Sequence, residues 1–198
     1  AFMTGSSSTS IWTRYNRDER DMYGIQFRNG YLKNQKLDTL VITPTTKGDV
    51  DEPLTKQEIL HRGYLTEHEI DYIYEKAIEL FKFGTSVAAE KGLLLVDTKY
   101  EFGFYNNQII LMDELHTCDS SRYWKNDTYS SRFANGLEPE KYDKDCIRDY
   151  VKATYSNQEI QTRNEFDIPE NIVDKVNSVY KTYYNLLTTS NLDTADIG

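Results

Sequence analysis

The sequence predicts an α+β domain, with helices grouped around a β-hairpin, and three observations carry that expectation. A 25-residue stretch after Thr66 repeats its apolar residues every three or four positions. At Leu93 the apolar period switches to two, and a second apolar run, residues 109–112, follows a turn-rich Tyr105-Asn106-Asn107-Gln108. Few βαβ units are visible, which argues against a doubly wound sheet. The 198 residues suit one sizeable domain.

In chain order, Gly5-Ser6-Ser7-Ser8-Thr9 leads into Ile11, Trp12 and Tyr15, which can share one face of a short helix. Residues 16–55 read as mostly irregular. Thr55-Lys56-Gln57-Glu58 is a capping box opening a short helix that Gly63 stops, and Thr66-Glu67-His68-Glu69 is a second. Ile70, Ile73, Tyr74, Ala77, Leu80, Phe81, Gly84, Val87 and Ala88 then mark a long helix over residues 67–91, with Gly92 as its terminator. Residues 93–102 and 109–114 read as the two hairpin strands. A polar stretch at 117–139 precedes a short helix at about 143–152. After a linker at 154–165, Pro169 opens a final helix marked by Ile172, Val173, Val176, Val179, Tyr180, Tyr183 and Leu187. The tail from Thr188 reads as frayed.

Charge and composition narrow the function. With 23 basic and 32 acidic residues the net charge is -9, so the surface as a whole repels polyanions and no nucleic acid is expected as partner. A local cluster of cations could still take a small anion. No apolar run nears the roughly 20 residues that cross a bilayer, so no membrane role is expected. Two cysteines, Cys118 and Cys146, and no visible signal peptide suit a reduced, cytoplasmic protein. His116 and Cys118 with Cys146 follow no zinc spacing, and Tyr180, Tyr183 and Tyr184 read as packing rather than as a base-stacking platform.

The ionisable groups concentrate on the hairpin. On an uninterrupted strand Leu93, Leu95, Asp97, Lys99 and Glu101 share one face, a carboxylate–ammonium–carboxylate row next to a buried end. Three residues closing the hairpin, or a bulge at Gly103, would set Glu101 opposite Asp113, whereas a strict two- or four-residue loop would not. Facing carboxylates repel unless a cation or proton lies between them, and magnesium takes such ligands together with phosphate oxygens. The alternative is an exposed hairpin laced by ion pairs.

The run Asp97-Thr98-Lys99-Tyr100-Glu101-Phe102-Gly103, followed by Asp113-Glu114 and by Asp119-Ser120-Ser121-Arg122, strongly resembles the SAICAR synthetases of purine synthesis. Thr4-Gly5-Ser6, Pro44-Thr45-Thr46-Lys47 and Asp143-Lys144-Asp145-Cys146-Ile147-Arg148 extend the resemblance to about residue 150. It implies an ATP-dependent ligase joining the carboxylate of the ribotide CAIR to the amine of L-aspartate, with magnesium as cofactor. It also implies residue roles. Glu101 and Asp113 match magnesium- and nucleotide-binding carboxylates. Asp97, Lys99 and Lys47 match catalytic groups. Ser6 and Arg122 match holders of the ribotide phosphate, with Ser6 at a helix N-terminus. Asp119 and Ser120 fall in the same substrate-binding run, and Lys144 and Arg148 match a basic pair near the substrates. The hairpin resembles that of protein kinases at fold level only.

Family members also carry an N-terminal lobe over ATP, and residues 1–198 are expected to be the catalytic and substrate-binding portion without it. Cys118 stands where the family often has proline. Two alternatives stay open: a non-catalytic module that holds the ribotide, and another ATP-dependent phosphotransferase on a related fold. The oligomeric state stays open as well, a homo-oligomer included.

Overall fold

A computed structural model describes residues 1–48, 51–142 and 144–188. Asp143 of the signature run and the tail beyond Thr188 lie outside the described residues. The chain divides into two compact units. Unit 1 comprises Ala1–Phe83, Tyr100–Asp113 and Phe133–Glu138, and unit 2 comprises Gly84–Lys99, Glu114–Arg132 and Pro139–Gly198. Among the described residues all the paired strands are antiparallel, which with the helices makes an α+β fold.

Unit 1 opens with α1 (Ile11–Tyr15), capped by Ser10, whose hydroxyl accepts from the Thr13 amide at 3.4 Å. Gly5 makes this turn feasible. Its φ is 122°, and a Cβ there would lie 2.2 Å from the Ser10 Cβ, so only glycine fits. The short ladder of β1 (Asp21–Met22) and β2 (Ile25–Gln26) follows. Met3, Tyr15, Met22, Phe27 and Leu37 bury together as one core cluster. The helix α2 (Lys56–His61) carries the expected reciprocal capping box between Thr55 and Glu58. Its Ile59 joins Leu54 and Ile70 in a second cluster. Ile70 belongs to α3 (Glu67–Glu90), which ends within one residue of the sequence expectation. Gly92 follows it at φ 72°, the left-handed conformation that stops a helix.

The hairpin of unit 1 pairs β4 (Glu101–Tyr105) with β5 (Gln108–Met112). Asn106 and Asn107, at φ 48° and 60°, close it as a two-residue turn of the primed kind whose twist suits the flanking strands. Phe102, Ile109 and Leu111 meet Tyr72, Lys76, Glu79, Leu80 and Phe83 of α3 around a groove of about 350 Å³. On the other face Met112 lies across Gly103, where a Cβ would come within 2.3 Å of its sulfur.

Unit 2 is built on β3 (Leu93–Thr98) paired with β6 (Ser121–Lys125). Leu93, Leu95, Val96, Tyr123 and Trp124 are all buried. The sequence reading ran one strand through residues 93–102. The structure corrects this, because the chain leaves β3 after Thr98 and starts β4 at Glu101 in the other unit. Residues 117–139, read as a polar stretch, contain β6 and α4 (Asn126–Ala134). Three further helices follow: α5 (Asp145–Thr154), α6 (Asn157–Thr162) and α7 (Glu170–Thr188). Residues 154–165, read as a linker, hold α6, whose start carries a Ser156–Glu159 capping box that the sequence already displays. Tyr183 of α7 packs on Tyr123, ring centroids 4.7 Å apart, and both hydroxyls donate to the His116 carbonyl. No helix among the described residues is long and apolar enough to cross a membrane.

Candidate functional site

In unit 2 a β-bulge sets the central ion pair. Leu95 pairs with Tyr123 and Asp97 with Arg122, leaving Val96 as the extra residue. Without the bulge Arg122 would oppose Val96. With it, Leu95 and Val96 are both buried, and Asp97 turns to the face opposite Leu93 and Leu95. The shared face of Leu93, Leu95 and Asp97, expected from the sequence, is therefore not formed, and Lys99 lies past the end of β3. Ladder partners on one face are neighbours, and Arg122 Nη1 donates to Asp97 Oδ2 at 2.6 Å.

The same guanidinium donates through Nε to Asp145 Oδ2 at 3.2 Å, and Arg148 Nη1 reaches Asp145 Oδ1 at 3.4 Å. Asp145 is buried at the first turn of α5, where the helix dipole favours a carboxylate. Burial raises its carboxyl, but Arg122, Lys141 and Arg148 outweigh that and hold it below the usual range. Asp97 ends on the other side. Burial is its largest influence and lifts the carboxyl above its ordinary value against the pull of Arg122, although 40% of its side chain surface stays open. Arg122 itself, despite burial, is raised by the two carboxylates.

A second group of unit 2 adjoins this one in sequence. Lys144 Nζ sits 2.6 Å from Asp119 Oδ1, and that bond, more than any other influence, lowers the Asp119 carboxyl. Tyr180 donates to the same oxygen at 3.5 Å. Thr117 shapes the loop, its hydroxyl accepting from the Asp119 and Ser120 amides at 3.3 and 3.1 Å. The Ser120 carbonyl accepts from the Lys99 amide at 3.1 Å, which ties that lysine to the loop. Cys118 is buried.

Unit 1 holds the remaining expected residues. Lys47, largely exposed, forms an ion pair with Glu101, whose side chain is 10% exposed. Glu101 pairs across the ladder with Met112, not with Asp113. The two-residue turn imposes this register and overturns the expected Glu101–Asp113 pairing. Asp113 follows the last paired residue, is exposed, and has φ 66°, so strand alternation no longer governs where its side chain points. Ser6 is corrected too. It lies in the loop four residues before Ser10, which is the actual helix cap.

A family model described as SAICAR synthetase matches residues 1–164. The chain belongs to the SAICAR synthetase family. Phosphoribosylaminoimidazole-succinocarboxamide synthase, chloroplastic, of Vigna aconitifolia is 51% identical over 154 residues, covering 77% of this chain and 45% of the relative. A putative phosphoribosylaminoimidazole-succinocarboxamide synthase 2 of Mesorhizobium japonicum is 44% identical over 191 residues, 94% of this chain and 60% of its own. Among solved structures, a SAICAR synthase from Saccharomyces cerevisiae complexed with SAICAR superposes with a TM-score of 0.71 at 30% identity. It covers 95% of this chain and 58% of that one. The chain thus spans about half the length of the curated relatives it matches.

The donor chemistry of the hairpin can be set against the magnesium that the SAICAR synthetase family implies. Among the described residues no cluster of three or more His, Cys, Asp or Glu side chains could hold a metal. Magnesium is commonly held by one or two carboxylates, with substrate phosphates and water completing the octahedron, and Glu101 and Asp113 offer donors of that type. The Lys47 ion pair marks Glu101 as a carboxylate that accepts a cation. Sequence reasoning missed Asp145, which stands between Lys144 and Arg148, two residues it did single out.

Proposed function

We propose that the protein is an ATP- and magnesium-dependent ligase that joins the carboxylate of CAIR to the amine of L-aspartate, giving SAICAR, ADP and phosphate. The observation that carries this reading is the Asp97–Arg122–Asp145 cluster, formed by residues of the family's own signature in a chain 51% identical to a named synthase. The solved relative complexed with SAICAR supports the ribotide as ligand.

The chemical problem is that a carboxylate is a poor electrophile with a poor leaving group. Transfer of ATP's terminal phosphoryl to the CAIR carboxylate oxygen gives an acyl phosphate and ADP. Attack by the aspartate amine on the acyl carbon then forms the amide bond, expels phosphate and releases a proton. Positioning and charge neutralisation do most of the catalytic work in such transfers.

Arg122 is assigned to the ribotide phosphate, because a guanidinium fork matches a phosphate bidentately. Ser6 is assigned to the same phosphate and Asp119 and Ser120 to the substrate. Lys144 and Arg148 supply further positive charge. Lys99 and Lys47 are assigned to the transferring phosphoryl group, and Asp97, whose carboxyl sits above its ordinary range, to the proton lost by the amine. Glu101 and Asp113 would hold the magnesium, which would offset the charge of ATP's phosphates. Two thiols without a disulfide suit a reducing compartment, for which the cytoplasm is proposed.

The test is ADP release by the purified protein. Release that needs CAIR, aspartate and magnesium together is the expected result. ADP formation that continues without aspartate would replace the ligase with another phosphotransferase, and CAIR binding without ADP release would leave a ribotide-binding module.

A further inference from the structure

Arg122 presents a long, rotamer-rich side chain, and a phosphate-binding guanidinium is useful only when its plane is fixed before the ligand arrives. Among the described residues two carboxylates hold it, in different ways. Asp97 takes Nη1 at 2.6 Å from a side chain that is 40% open. Asp145 takes Nε at 3.2 Å from a side chain that is 10% open. Nε is the root of the fork, so a partner there sets the rotation of the whole plane, whereas a partner on Nη1 occupies one tip.

Asp145 is itself well fixed. It lies in the first turn of α5, and its second oxygen meets Arg148 Nη1 at 3.4 Å. One buried carboxylate thus bridges two guanidiniums that belong to separate elements, β6 and α5.

We propose that Asp145 is a positioning residue for ribotide binding, one that orients Arg122 from its Nε edge without touching the substrate. The inference rests on the phosphate role given to Arg122 above. It predicts that Asp145 acts on CAIR through Arg122 alone, so the two residues form one energetic unit.

The experiment compares Asp145→Asn, Asp145→Glu, Arg122→Ala and the Asp145→Asn/Arg122→Ala pair in the full chain, with KM for CAIR, KM for ATP and kcat measured for each. Asparagine keeps the shape and an acceptor oxygen but loses the charge. The expected result is a roughly 10-fold rise in KM for CAIR in Asp145→Asn, with KM for ATP unchanged. The double variant should be no worse than Arg122→Ala alone, and Asp145→Glu should recover part of the loss. Independent, additive losses in the double variant would overturn the proposal. So would an unchanged KM for CAIR in Asp145→Asn, or failure of that variant to fold, which would make the bridge purely structural. If Arg122→Ala leaves KM for CAIR untouched, the phosphate role of Arg122 is what fails, a result distinct from additive losses.

Discussion

Replacing Arg122 with alanine tests both the stability and the function of the unit 2 cluster, and the structure sets the size of each effect. Among the described residues the guanidinium makes charge-assisted hydrogen bonds at 2.6 Å to Asp97 and 3.2 Å to Asp145. Such bonds contribute about 1.5–3 kcal/mol each when well shielded. Asp97 is 40% open, so water replaces most of what it loses. Asp145 is 10% open and, among the described residues, keeps Arg148 at 3.4 Å, the charge of Lys141 and the helix dipole, so leaving it under-paired costs more. The sum is a destabilisation of about 2–3 kcal/mol, below the roughly 3–5 kcal/mol of a buried pair left with no partner at all. Loss of one charge-assisted phosphate contact, again about 1.5–3 kcal/mol, should raise KM for CAIR by about 10- to 150-fold. Urea unfolding at pH 7 reads the first quantity, and initial rates with CAIR and aspartate varied in turn read the second. A stability change under about 0.5 kcal/mol, or equal losses for CAIR and aspartate, would refute the reasoning.

Further outcomes are expected from the other unit and from pH. Glu101→Gln and Asp113→Asn should each lower magnesium-dependent turnover by orders of magnitude while circular dichroism stays native, and wild-type rates in both would remove the metal assignment. Gly5→Ala should destabilise unit 1 by about 1–3 kcal/mol, since its Cβ would sit 2.2 Å from the Ser10 Cβ at a φ of 122°; a thermal midpoint equal to wild type would contradict this. Asp145 is held below the ordinary carboxylate range. Its contribution is therefore complete above the unfolded value of about 3.9 and is lost as pH falls through the lower folded value. Stability curves for wild type and Asp145→Asn should converge as pH falls below about 4, and parallel curves down to pH 2 would exclude that carboxylate as a source of acid lability.

The elements legible in the sequence are those fixed by neighbours along the chain. The span of α3 followed from a capping box and an apolar stripe, and α2 from its own Thr55–Glu58 box. The signature from Asp97 to Gly103 announced the family, now shown by the matching family model. The start of α6 was equally local, and Ser156 with Glu159 would have located it. By contrast β6 looked polar, because Ser121, Arg122 and Lys125 dilute Tyr123 and Trp124, and its strand character comes from pairing with residues 23 to 32 positions earlier.

By itself, then, the sequence determined the α+β class, the helix boundaries with capping boxes and which side chains carry charge, since these depend on contacts within about four residues. Only the tertiary structure decided which charges meet. The bulge at Val96 turned Asp97 toward Arg122, and the two-residue turn at Asn106 and Asn107 set Glu101 opposite Met112. The physical reason is the two-residue period of a strand: a shift of one position exchanges its faces. That shift is settled by the whole ladder and the core beneath it, not by any residue alone.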